Sequence, residues 1–175
     1  GRGIIIMTLS SAKRAAYGGL FTAVSLIFSY AESLTPLNLF VTIPGFKLGL
    51  ANICIMLAFY YLGTLDAFLI SLSKIALTAL LFGTPISFLF SLGGGLLSFG
   101  FLIISKYIIK ERISFIGVSV GCAALHNVGQ VCVAALFFKD SAIFWYLEWL
   151  LPVSVITGII TGLLAIAFGK FAGKR

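Results

Sequence analysis

Lys74, His126, Asn127 and Gln130 are the residues of this chain best placed to do chemistry, because each lies inside an otherwise apolar run. His126, the one histidine, and Gln130 are four apart and share a helix face, with Asn127 beside them. The stretch that holds them, Gly117 to Gln130, belongs to the apolar run Ile113 to Phe138, long enough to cross a bilayer. Polar groups at such depth are costly and must face protein, water or ligand. Two readings stand side by side: ligand contact, or hydrogen bonding to neighbouring helices. Lys74 tips the balance toward a ligand. It lies midway along Leu65 to Phe82, too far from either end to snorkel, and a central lysine costs roughly 2.5–3.5 kcal/mol on insertion scales. The carboxylates Glu32, Asp66, Glu111, Asp140 and Glu148 all fall near predicted span ends, so none is expected at its depth. Lys74 is then neutral, bonded to carbonyls, or set to receive an anion.

Elements that could position these residues follow from composition. Of 175 residues 61% are hydrophobic and only 10% charged, with mean hydropathy +1.17. Soluble domains are nearer a quarter charged, so the expected fold is an all-α integral membrane protein, one transmembrane domain over residues 1–175. Gly1 to Ile6 precede Met7, the candidate native start, and are set aside. The net charge of +7 resides at helix ends rather than in a basic stripe, which excludes nucleic acid as a partner. Cys54, Cys122 and Cys132 lie in apolar runs without metal-ligand spacing and read as reduced, small hydrophobes.

Six spans are predicted. The first, Ala15 to Ser33, carries small residues at Ala15, Gly19 and Ala23, with Ala12 and Ala16 as a second pair, a face that another helix can approach closely. Thr35 to Phe46 cannot be a regular helix, since Pro36 and Pro44 break it, and it is expected to cap the bundle from outside. Leu48 to Leu62 is a short second span containing Asn52, and Gly63-Thr64 turns into the third, Leu65 to Phe82. Ile86 to Tyr107 is the fourth, with Gly93-Gly94-Gly95 permitting close approach by a helix or a ligand. The fifth holds His126. Phe144 to Phe168 is the sixth, opened by Trp145, Tyr146 and Trp149 as an interfacial belt, with Gly158 and Gly162 as a GxxxG face suited to close packing or dimerisation.

An even number of spans puts both termini on one side. That side carries Arg2, Lys13, Arg14, Lys106, Lys110, Arg112, Lys170, Lys174 and Arg175, against Lys47 and Lys139 on the other. This asymmetry predicts cytoplasmic termini in the plasma membrane. Lys74 and His126 then fall near one depth, with Lys47 and Asn52 at the outer mouth. The predicted site is an outward-facing pocket for an apolar or aromatic ligand bearing an anionic or carbonyl group.

Four ordered motifs carry a family resemblance: Pro44 through Ile53, Phe82-Gly83-Thr84-Pro85 with Ser87-Phe88-Leu89, Gly94 through Ser98, and Gly117-Val118-Ser119 through His126-Asn127-Val128-Gly129-Gln130. They resemble the Gx transporter family, also labelled heptaprenyl diphosphate synthase component I, over nearly the whole chain from about Ala15. That family is similar to the S components of energy-coupling factor (ECF) importers: six-helix proteins that bind a solute from outside and work with a T component and two ATPases. The resemblance implies that Ala12, Ala15, Ala16, Gly19 and Ala23 meet the T component, and it associates the family with flavin, quinone and isoprenoid chemistry. A membrane anchor or electron-transfer subunit binding flavin or quinone is the alternative, and a non-catalytic component of a prenyl diphosphate synthase a third. Catalysis by this chain is not expected. Diphosphate held through Mg²⁺ needs clustered carboxylates, and the two aspartates, Asp66 and Asp140, lie in different loops. No Walker motif is present, so any ATP use belongs to another chain.

Overall fold

Apolar residues at helical spacing build six α-helices. The computed structural model describes residues 10–34, 50–109 and 112–172. The predicted cap Thr35–Phe46 and Lys47 lie outside them. The helices are α1 (Ser11–Ser33), α2 (Asn52–Tyr61), α3 (Thr64–Phe82), α4 (Pro85–Ile104), α5 (Phe115–Phe138) and α6 (Leu147–Ala172). A π-helical turn, Ser105–Ile109, continues α4, and a 3-10 turn, Ser141–Tyr146, leads into α6. No strand occurs among the described residues. Four stretches are long and apolar enough to cross a membrane: Thr64–Phe82, Pro85–Ile109, Phe115–Phe138 and Ser141–Phe168. This is the pattern of a multi-pass membrane protein.

Local chemistry sets the helix ends. Gly63 turns α2 into α3 at φ 111°, a conformation that L side chains rarely adopt. Thr84 and Ser87 form a reciprocal capping box around Pro85, the first residue of α4. Ser114 Oγ accepts from Gly117 N at 3.0 Å to cap α5, and Asp140 Oδ1 accepts from Ala142 N at 2.8 Å to start the 3-10 turn.

α2 departs most from the sequence expectation. It begins at Asn52, not Leu48, and is ten residues long. Residues 53–59 are all buried, so this helix is apolar all round and stands inside the bundle against α1, α3, α5 and α6. Its neighbours, not its length, shield it from lipid. α1 and α3 run parallel beside it: the Arg14 guanidinium donates to Asp66 Oδ2 at 2.6 and 3.0 Å at one end, and Tyr30 meets Phe82 with ring centroids 5.4 Å apart at the other. The Arg14–Asp66 pair is half open to solvent, so Arg14→Ala is expected to cost less than about 1 kcal/mol, read as a small, salt-sensitive change in melting temperature in detergent.

The glycine triplet of α4 serves packing. A methyl group on Gly94 would stand 2.6 Å from the His126 carbonyl oxygen, and one on Gly95 would stand 2.7 Å from Ile75 Cδ1. α4 therefore presses α5 at Gly94, where a side chain would meet backbone, and α3 at Gly95, where one would displace the end of Ile75. Gly158 and Gly162 do the same for α6: added methyls would meet Val120 Cα at 2.5 Å and Ile116 Cα at 3.0 Å. The GxxxG face is occupied by α5 of the same chain, so of the two expectations it serves close packing within the bundle.

Candidate functional site

Lys74 is 3% exposed and belongs to the buried stripe of α3, with Ala67, Ile70, Ser71, Ile75 and Thr78. At ~1.5 Å per residue it stands about 12 Å from Phe82, the C-terminal end of its helix. The buried carboxylate among the described residues is Glu32, at the penultimate position of α1, close to a helix end as expected from the sequence. α1 buries three residues, Ser25, Ser29 and Glu32, spaced four and three apart on one face. Glu32 is 3% exposed. Its Oε1 accepts from the backbone N–H of Leu50, just ahead of α2. A residue near the end of a helix still faces inward when its stripe does, and that stripe was visible as serine, serine, glutamate at helical spacing.

Ser29 Oγ on α1, Asn52 Nδ2 on α2 and Thr78 Oγ1 on α3 are buried with no hydrogen-bond partner among the described residues. Thr78 is one turn from Lys74 on the same face, a spacing legible in the sequence but not singled out there. Ser91 Oγ, on α4, has no partner either.

α5 supplies a second group. His126 is 2% exposed and Gln130 0%. Both face the glycines of α4: a methyl on Gly94 would lie 2.8 Å from His126 Nδ1 and 3.0 Å from Gln130 Cγ. Gln130 stands about 12 Å below Phe138, the depth of Lys74 below Phe82. Asn127, a hundred degrees further round the helix, turns instead to α6, and its Nδ2 donates to the Leu150 carbonyl at 3.2 Å. Its Oδ1 is buried and has no partner among the described residues. The candidates thus divide: Lys74 and Asn52 stand on the α1–α2 side with Glu32, His126 and Gln130 at the α4 glycines, and Asn127 as a tie between α5 and α6. Lys47 lies outside the described residues.

The α1 small-residue positions Ala12, Ala15, Ala16, Gly19 and Ala23 are all exposed, and a methyl on Gly19 would meet nothing within 4 Å. Cys54, Cys122 and Cys132 are free thiols. No three His, Cys, Asp or Glu side chains gather into a metal-holding group among the described residues.

No curated protein and no solved structure matches the chain. The model of one family, heptaprenyl diphosphate synthase component I, matches residues 21–168, and the chain belongs to that family.

Proposed function

We propose that this chain is the substrate-binding membrane subunit of an ECF-like importer, taking up a small vitamin-, flavin- or isoprenoid/quinone-related solute. The observation that carries the reading is a lysine buried in an apolar bundle, with buried polar atoms of Thr78 on its own helix and of Ser29 and Asn52 on neighbouring helices that have no hydrogen-bond partner among the described residues. Unpaired polar groups at this depth cost free energy, and a ligand offering complementary groups removes that cost. Lys74, Asn52, His126 and Gln130 line the path, Asn127 contributes its carbonyl oxygen, and Lys47 stands at the mouth. In this reading six spans leave both termini on one side, cytoplasmic by the basic-residue asymmetry of a plasma-membrane protein, and the open face of α1 at Ala12, Ala15, Ala16, Gly19 and Ala23 meets the T component, with two ATPases supplying energy.

The family description, component I, implies a partner subunit. In the synthase reading that partner would carry the catalysis. Asp66 is paired with Arg14 at the start of α3, while Asp140 caps the turn after α5, at the opposite end of the bundle. Two aspartates so placed do not assemble a Mg²⁺–diphosphate site, which favours a non-catalytic role for this chain.

Native mass spectrometry of protein purified gently from its own membrane tests the proposal. A bound small molecule is expected in the wild type and not in Lys74→Met, with helical content unchanged by circular dichroism. A wild type that carries no small molecule, or a Lys74→Met protein that retains it, would overturn the binding role.

A further inference from the structure

A serine or threonine inside a helix ordinarily turns its hydroxyl back to a carbonyl three or four residues earlier, which satisfies it without help from a neighbour. Ser25 Oγ donates in this way to the Thr22 carbonyl at 2.8 Å, Ser154 Oγ to that of Leu151 at 2.7 Å and Thr161 Oγ1 to that of Thr157 at 2.9 Å. Thr78 Oγ1 and Ser91 Oγ make no such bond and have no other partner among the described residues, although the two residues are only 2% and 4% exposed. The register of α3 on α4 brings them to one level. A methyl on Gly83, in the turn between the helices, would lie 2.8 Å from Ser87 Oγ and 3.1 Å from the Thr78 carbonyl oxygen. One on Gly95 would lie 2.7 Å from Ile75 Cδ1 and 3.9 Å from Ser71 Oγ. The helices are therefore antiparallel and anchored at two levels. Ser91 stands between these levels, one turn from Ser87 and one turn from Gly95 along the same line of α4. Thr78 stands between them too, on the α3 line of Ser71 and Ile75 and three residues nearer the turn than Ile75.

We infer that Thr78 and Ser91 form a hydroxyl pair that holds a carbonyl oxygen of the bound solute between α3 and α4. The inference rests on the binding role proposed above and adds the two residues that recognise this group. A hydroxyl hydrogen rotates to suit its acceptor, and a carbonyl oxygen has two lone pairs, one for each O–H. The exchange is favourable in an apolar bundle, because neither hydroxyl gives up a protein bond to make the new one. Lys74, one turn from Thr78 on the buried stripe of α3, supplies a further donor along the same side of the solute.

Thr78→Val and Ser91→Ala each remove one hydroxyl with little change of shape, while Thr78→Ser keeps it. The probe is the small molecule that the wild type carries out of its own membrane, read as added mass in native mass spectrometry. Its occupancy is expected to fall on the order of tenfold in Thr78→Val and in Ser91→Ala, and to stay near that of the wild type in Thr78→Ser. A second readout uses protein emptied by prolonged detergent exchange. There the melting temperatures of Thr78→Val and Ser91→Ala should match the wild type's or exceed it by roughly 2–4 °C, since an unpaired buried hydroxyl has given way to an apolar group. Hydroxyls that bond within the fold, to backbone or to an ordered water, would instead give lower melting temperatures in the empty variants. That result overturns the inference, and a variant that fails to fold counts as the same result. So does unchanged occupancy in Thr78→Val and Ser91→Ala, or a released molecule without a carbonyl group. A wild type that carries no added mass removes the binding role and this pair with it. A loaded wild type with equally loaded variants removes the hydroxyl pair alone.

Discussion

Gly129→Ala is expected to break the α4–α5 contact, while Gly100→Ala, the same chemical change one helix away, should stabilise the protein. The methyl added at Gly129 would lie 2.5 Å from the Gly93 carbonyl oxygen, 2.7 Å from its carbon and 2.8 Å from Gly94 Cα. All three are backbone atoms of α4, so no side-chain rotation relieves the clash and the helices must separate. Overpacking costs typically 1–3 kcal/mol, and about 3 kcal/mol or more is expected where backbone meets backbone. At Gly100 a methyl meets nothing within 4 Å, and exchanging glycine for alanine inside a helix gains about 0.5–1 kcal/mol. Thermal unfolding of the two variants in one detergent should therefore move in opposite directions. His126 and Gln130 are seated by the same α4 glycines, so Gly129→Ala should also weaken ligand retention. Equal melting temperatures for the two variants would mean that α4 and α5 do not meet through Gly129.

Asn127→Asp should be still more damaging, although it changes one atom. Asn127 is 0% exposed, and its amide nitrogen donates to Leu150 O on α6. An ionised aspartate would set an oxygen against that carbonyl and bury a charge with no cation beside it, a loss of roughly 3–5 kcal/mol by analogy with broken buried pairs. Little folded protein is expected at neutral pH. Lowering the pH should restore part of the stability, because a protonated carboxyl regains a donor. Asn127→Leu removes the same hydrogen bond without adding charge and should cost only about 1 kcal/mol. The measurements are folded yield by gel filtration and melting temperature against pH. An Asn127→Asp protein as stable as Asn127→Leu at neutral pH would mean that the amide does not hold α5 to α6 through Leu150.

Much of this protein was determined by its sequence alone. Long apolar runs punctuated by Gly63, Thr84-Pro85 and Ser114 mark the starts of α3, α4 and α5 to within a residue or two, because turn and capping chemistry is local. Lys74 was recognisable as buried because it is the one charged residue of the apolar run from Ala67 to Phe82. Which neighbour covers each helix was decided only by the tertiary structure. Periodicity defines a face but not what lies against it, so Gly158 and Gly162 read equally well as an outer or an inner seam until α5 occupied them. Asn127 and His126 are adjacent in sequence yet turn to α6 and α4, since one residue rotates a helix position by about a hundred degrees. Depth was the other quantity that sequence withheld. Glu32 is the penultimate residue of α1, and only the packing of its serine-lined face against the bundle, with Leu50 N–H at its carboxylate, buries it.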